Sequence, residues 1–260
     1  MIEGLRRTIV RFAVLGVAAY LVFLVATLPA AWLGYALESA SAGAVALGEP
    51  GGTVWKGKGA LAVRLRGSYR GIADIEWRCN PLSLFSGRLA VALTGDGPGV
   101  SLKGMLSLGF RSVRLEKIDA NVPVGLMEPA LPAGAAIMDL YKPEGRVRLV
   151  SDSLEIAPAS VRGSMTMEWL EAGMSGIARI GDYRLQVNGS GERADLRLQT
   201  LRGDLRVNGS GEWKAAQPRE VQMSGEAQIS PGRKDLEPLL DLVAGRGAGD
   251  SRRFGWAMTL

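Results

Sequence analysis

From residue 61 onward the chain places apolar side chains at every second position and arginines between them. Leu61, Val63 and Leu65 alternate with Arg64 and Arg66, and Val147 and Leu149 with Arg146 and Arg148. Tyr183, Leu185 and Val187 alternate with Arg184 and Gln186, and Leu205 and Val207 with Arg206. Successive side chains of a strand point to opposite faces, so this period builds a sheet with one apolar and one basic face. Half-buried antiparallel strands follow. Gly95-Asp96-Gly97-Pro98-Gly99 reads as a wide hairpin turn, and Gly51-Gly52 as the lead-in to the first strand of the domain. Only two stretches have a helical look: Ala133 to Leu140, and Leu236 to Ala244, with Asp235 as its cap and Gly245 at its end.

The chain also echoes itself. Gly71 to Trp77 (GIADIEW) matches Gly163 to Trp169 (GSMTMEW), and Leu102 to Gly109 (LKGMLSLG) matches Leu201 to Gly209 (LRGDLRVNG) with one extra residue. Glu128-Pro129-Ala130-Leu131 then matches Glu237-Pro238-Leu239-Leu240 in the same order. The reading is a duplicated sheet with one short helix per half, the halves falling at 51–143 and 144–260. A small one-sided sheet is marginal by itself, so the halves are expected to form one continuous, curved sheet whose apolar faces meet. Trp77 and Trp169 occupy equivalent positions in the two halves, which fits packing. The hexapeptide VNGSGE occurs twice, at Val187 to Glu192 and Val207 to Glu212. It lacks the third glycine of a dinucleotide loop and the Gly-Lys-Ser/Thr of a phosphate loop, and Asn-Gly is a strong hairpin signal, so both copies are expected at turns.

The first residues are of another kind. Phe12 to Leu33 contains no charged side chain and would span about 30 Å as a helix, the thickness of a bilayer core. Arg6, Arg7 and Arg11 precede it and Glu38 follows, which keeps the N-terminus (1–11) cytoplasmic, makes 12–33 a transmembrane anchor and 34–50 a linker. Ala40-Ser41-Ala42 resembles a signal-peptide cleavage site, but the apolar run exceeds the usual core of about 7–15 residues. The single cysteine, Cys79, cannot close an internal disulfide and is expected to be buried.

Composition removes several kinds of chemistry. The chain has no histidine, which excludes Ser-His-Asp and Cys-His nucleophile systems and the commonest zinc and iron sites. None of its seven lysines follows a serine by three positions, and no G-x-S-x-G elbow occurs. Asp74 with Glu76, Glu168 with Glu171, and Asp235 with Glu237 are close in sequence, but acids on a solvated face beside many arginines are the ordinary arrangement. No enzyme, metal or cofactor is expected. The net charge of +5 is spread along the chain, with few aromatics, which argues against nucleic acid. Arg202-Gly203-Asp204 has the letters of an adhesion tripeptide within a strand-like repeat, and two Asn-Gly-Ser triplets have the glycosylation pattern; neither is read as functional.

Several segments in order resemble a known family. A short basic N-terminus and one anchor precede Gly52-Thr53-Val54-Trp55 with Gly57, then the W-x-x-x-P-L-x-L-x-x-G-R-L run from Trp77 to Leu89, and late Gly-Asp-Tyr and GSGEW segments. This layout resembles type II secretion system protein N over essentially the whole chain. The resemblance implies a non-catalytic inner-membrane component of the machinery that exports folded proteins from the periplasm across the outer membrane, with other secretion components and the bilayer as partners and no catalytic residue to carry over. The fold expectation is mainly β: a transmembrane helix, then a duplicated antiparallel sheet forming an open groove or flattened sandwich. Exposed strand edges would suit augmentation by a partner strand. An alternative is an envelope lipid-binding or lipid-transfer protein with an apolar β-groove; Leu61, Val63, Leu65, Leu89, Val91 and Leu93 are the residues expected to face that groove or a closed core.

Overall fold

The computed structural model describes residues 2–65, 67–127, 142–217 and 220–259. Two helices come first, α1 (Ile2–Ala26) and α2 (Ala31–Ala40). Strands β1 (Val45–Gly52), β2 (Lys56–Leu65), β3 (Ser68–Asn80), β4 (Arg88–Gly97), β5 (Val100–Gly109) and β6 (Val113–Pro123) follow. Then come β7 (Pro143–Ala157), β8 (Ser160–Met174), β9 (Ile177–Gly191), β10 (Arg193–Gly203), β11 (Leu205–Lys214), β12 (Glu220–Ile229), helix α3 (Glu237–Ala244) and β13 (Ser251–Thr259). All 13 strands form one open sheet in chain order, each antiparallel to the next. No strand crosses over another, as the alternating pattern demands, and helix α3 lies in the connection from β12 to β13.

Register carries the apolar face across the sheet. Trp77 pairs with Leu93, Val91 with Leu106, Leu106 with Leu115 and Leu115 with Leu154. Beyond the middle, Met167 pairs with Leu185 and Leu185 with Leu198. The opposite face is basic and cross-linked: Arg148 bridges Asp119 at 3.3 Å, Arg184 bridges Glu168, and Arg114 bridges Glu155 at 2.7 Å. Such pairs contribute only a few tenths to about 1 kcal/mol each. Burial of the apolar face does more.

That burial differs from expectation. The apolar side chains gather in two separate clusters rather than where two half-sheets meet. Ala30, Trp77 and Cys79 form the smaller one, with Leu33 and Leu47 against them, so α2 covers the first strands. The larger one runs from Leu154 to Phe254 and includes Leu236, Leu239 and Leu240 around α3. Burial pushes the Cys79 thiol pKa up, and its Sγ–H donates to the Val54 carbonyl at 3.3 Å.

The run Phe12–Leu33 is not one helix. α1 stops at Ala26 and α2 starts at Ala31, with Pro29 between them forming a bridge to Thr53. Proline has no N–H to continue a helix and restricts the residue before it, which accounts for the break. The orphaned groups find partners on the first hairpin instead. Val54 N–H donates to the Leu28 carbonyl at 2.9 Å, Ala30 N–H to Gly52 at 3.1 Å, and Trp55 Nε1–H to Val25 at 2.8 Å. Among the described residues no helix is long and apolar enough to cross a membrane. The segment 34–50, expected as a linker, carries most of α2 and β1.

Glycine chemistry was misread at the turns. Gly95 and Gly97 belong to β4, and only Pro98-Gly99 forms the turn, with Gly99 at φ 75°. VNGSGE is strand in both copies: the first ends β9, with Gly191 (φ 127°) opening the turn into β10, and the second lies inside β11. Its glycines serve close approach. A Cβ on Gly189 would stand 2.6 Å from the Val161 carbonyl oxygen, and one on Gly211 2.2 Å from that of Gln222. The repeat is also looser than it reads. GIADIEW and GSMTMEW both fall within strands, β3 and β8, but LKGMLSLG stays inside β5 whereas its counterpart spans the β10–β11 turn. The candidate helix at Ala133 to Leu140 and Glu128 to Leu131 lie outside the described residues. The late helix forms as α3, but Asp235 does not cap it: its carboxylate pairs with Arg233 at 2.7 Å in the preceding 3-10 turn.

Candidate functional site

Strands β8 to β13 present Met167, Leu185, Leu198 and Val207 on one face, and α3 lies over β12 and β13 on that side. Between helix and strands lies a cavity of about 310 Å³. Trp169, Ile180, Tyr183 and Leu196 form part of its floor, Met223 and Trp256 one wall, and Leu239, Leu242 and Val243 the roof. That volume is at the low end of the range, about 300–1,000 Å³, in which proteins hold small ligands.

The polar tips of the lining residues turn away into the backbone. Tyr183 Oη–H donates to the Leu205 carbonyl at 2.8 Å, Trp169 Nε1–H to Glu144 at 3.0 Å, and Trp256 Nε1–H to Val243 at 2.7 Å. Burial first, then the nearby carboxylates of Asp182 and Asp204, raise the Tyr183 phenol well above the ordinary tyrosine range. It is a fixed neutral donor. No charged side chain lines the cavity. A lining of this kind offers dispersion and hydrophobic contact, with nothing to move a proton or orient a polar group.

A glycine pair lies two residues beyond the lining residues Val207 and Met223 on their strands. Gly209 pairs with Gly225, and the Phe254 ring lies against both, so that a Cβ would be 2.9 Å and 2.8 Å from its Cζ respectively. Phe254 in turn stacks on Trp256 with centroids 4.3 Å apart. The roof is held by Arg252 of β13. Its buried guanidinium pairs with Asp241 of α3, donates to the carbonyls of Gly245 at 2.9 Å and Gly249 at 3.3 Å, and comes within 3.8 Å of Glu237.

The six residues expected to face a groove or the core lie away from this cavity. Leu61, Val63 and Leu65 on β2 and Leu89, Val91 and Leu93 on β4 share the apolar face by register. Val63 is buried and the others half-buried; Leu89, Val91 and Leu93 pack on the Trp77–Cys79 cluster. Trp77 fills the space above Gly57, where a Cβ would be 2.4 Å from its ring. None of the six reaches the α3 cavity. The acids considered for catalysis are largely engaged: Glu168 with Arg184, Glu171 with Arg146 and Arg179, Asp235 with Arg233. In the tripeptide Arg202-Gly203-Asp204, the arginine pairs with buried Asp182 and the aspartate with Arg233.

Against known proteins, residues 43–254 match the family of type II secretion system (T2SS) protein N. The chain belongs to the T2SS protein N family. The match takes in the sheet from β1 to within β13 and leaves out α1 and α2, so the family signature is the sheet itself. The segments that resembled protein N serve this sheet. Trp55 ties the first hairpin to α1, Asp182 accepts from Glu171 N–H at 2.7 Å, and Tyr183 floors the cavity. No curated protein and no solved structure matches the chain significantly. Membership in the T2SS protein N family supports a role in type II secretion and gives no residue a catalytic part.

Proposed function

We propose that this protein is a non-catalytic inner-membrane component of the type II secretion apparatus, with its sheet in the periplasm and its N-terminus in the cytoplasm. The family match over 43–254 carries the reading. Two further features support it. On α1, Phe12, Val22 and Phe23 are more than 60% exposed, an apolar surface that the bilayer would cover. The outer strand β13 has one edge unpaired among the described residues, which would suit a strand from another secretion component. Deleting the gene is expected to leave the secreted enzymes in the periplasm; unchanged secretion would sink the proposal.

The α3 cavity favours a second reading, in which the sheet binds a lipid acyl chain. Its lining is apolar and its polar atoms are already satisfied, which suits a hydrocarbon and little else. A photo-crosslinking residue at Leu198 in living cells is expected to give a protein mass increased by one lipid. Protein without any lipid adduct at that position excludes this reading.

A further inference from the structure

The pairing register puts several turns on one end of the sheet. Gly52 pairs with Gly57, Lys56 with Arg78, Asn80 with Ala90, Arg88 with Gly109, and Leu108 with Val113. The β1–β2, β3–β4 and β5–β6 connections therefore line one rim, spaced by roughly 10 Å, two strand widths. The α1–α2 break is bonded to the first of these turns through Val54, Trp55 and Gly52. α1 thus leaves the sheet from this rim.

The same rim displays large apolar side chains that none of the described residues covers. Phe85 is 91% exposed, Phe110 98% and Leu82 71%. Phe85 and Leu82 are held out by a built turn. Asn80 Oδ1 accepts from Leu82 N–H at 3.1 Å, Ser83 Oγ accepts from Ala90 N–H at 2.9 Å, and Gly87 at φ 71° closes the 3-10 turn Pro81–Ser86. Exposed aromatics on an ordered turn cost about 25 cal/mol for each Å² left in water, and a contiguous set marks a contact surface.

Charge identifies what is contacted. Lys56, Arg78, Arg88 and Arg111 stand among these turns. Across 53–57, 78–90, 108–114 and 155–162 the one carboxylate is Glu155, already held by Arg88 and Arg114. Apolar tips flanked by cations match the boundary between anionic headgroups and acyl chains. Trp32, 60% exposed at the start of α2, adds an indole of the kind that favours this depth.

We propose that the β3–β4 and β5–β6 turns insert Phe85, Leu82 and Phe110 into the outer leaflet of the membrane that holds α1, standing the sheet on the bilayer by this rim. The inference rests on the membrane reading given above. Two contacts at one rim, rather than a helix alone, fix the tilt of the sheet and hold its opposite turns away from the lipid.

The test uses the full-length protein in phosphatidylethanolamine–phosphatidylglycerol vesicles, with Cys79→Ser as background and an environment-sensitive dye on one new cysteine. The positions are Phe85→Cys, Phe110→Cys, Leu21→Cys in α1, and Pro98→Cys in the β4–β5 turn at the far end. The expected result is blue-shifted emission, lost on adding doxyl-labelled lipid, at 85, 110 and 21, and water-like, unquenched emission at 98. Quenching at 21 with water-like emission at 85 and 110 overturns the rim contact while leaving the anchor intact, and would point to a protein covering the rim. Quenching at 85 and 110 without quenching at 21 supports the rim contact and overturns the α1 anchor. Equal quenching at 98 overturns the proposed orientation.

Discussion

Replacing Gly225 by alanine is expected to lower stability by about 3 kcal/mol, at the upper end of the cost of overpacking. The added methyl would stand 2.1 Å from the Asn208 carbonyl oxygen, 2.6 Å from Gly209 Cα and 2.8 Å from Phe254 Cζ. Two of those neighbours are backbone, so strand β11 has to shift, and the phenyl ring stacked on Trp256 of the cavity wall shifts with it. Urea unfolding of the full-length protein in detergent, followed by tryptophan emission, should show a midpoint lower by about 1 M. Gly255→Ala is the internal comparison. It lies on the next strand, paired with Ser224, and a Cβ there meets nothing within 4 Å. Its effect should be close to zero or slightly stabilising through a less flexible unfolded chain. Equal losses from both substitutions would refute the close-approach explanation.

Arg252→Ala is expected to lower stability by about 1.5–3 kcal/mol, because it removes charge-assisted hydrogen bonds between a buried guanidinium and Asp241, whose carboxylate is only partly buried. Only 8% of Arg252 is exposed, and its guanidinium joins β13 to Asp241 and to the carbonyl of Gly245, just past the end of α3. Without it, α3 keeps its apolar contacts with the sheet and the Trp256 Nε1–H bond to Val243. Leu236, Leu239 and Leu240, all within 2% of full burial, would then be exposed whenever the helix lifts. A hydrophobic dye should bind the variant at urea concentrations where the parent protein excludes it. Arg253→Ala is the control, since that neighbour is exposed and makes no ion pair among the described residues. A surface change of that kind stays within about 0.5 kcal/mol. Parity between the two arginine variants would show that the clamp does not hold the roof.

Both effects fall at places where sequence reading was weakest. Gly225 has no turn signal beside it, and VNGSGE had too strong a one. Asn-Gly accepts the positive φ of a hairpin, but glycine is equally demanded where two backbones and a phenyl ring converge, and local sequence cannot separate these uses. Arg252 reads as one more basic residue after a glycine-rich stretch. Its burial depends on Asp241, which comes from a different element. The cavity was missed for a related reason. Leu61 to Leu65 and Leu89 to Leu93 are as apolar as Leu185 and Leu198, and nothing in their spacing says which set a helix will roof or a tryptophan will fill. The short helix itself was legible from Leu236 to Ala244. Its role as a roof was not.

By itself the sequence determined the sheet. Alternation with period two can be satisfied only by strands that bury one face, and short glycine-punctuated connections allow only neighbours in the chain to pair, which is a meander. Buried Cys79 could also be read from side-chain chemistry alone. Tertiary structure decided how the apolar face is covered. Two helices, α2 and α3, bury separate parts of it, and only their docking, fixed by contacts such as Ala30 to Gly52 and Arg252 to Asp241, leaves one part filled and the other hollow. The physical reason is that local patterning sets which way a side chain points, whereas the space it points into is made by residues far away in the chain.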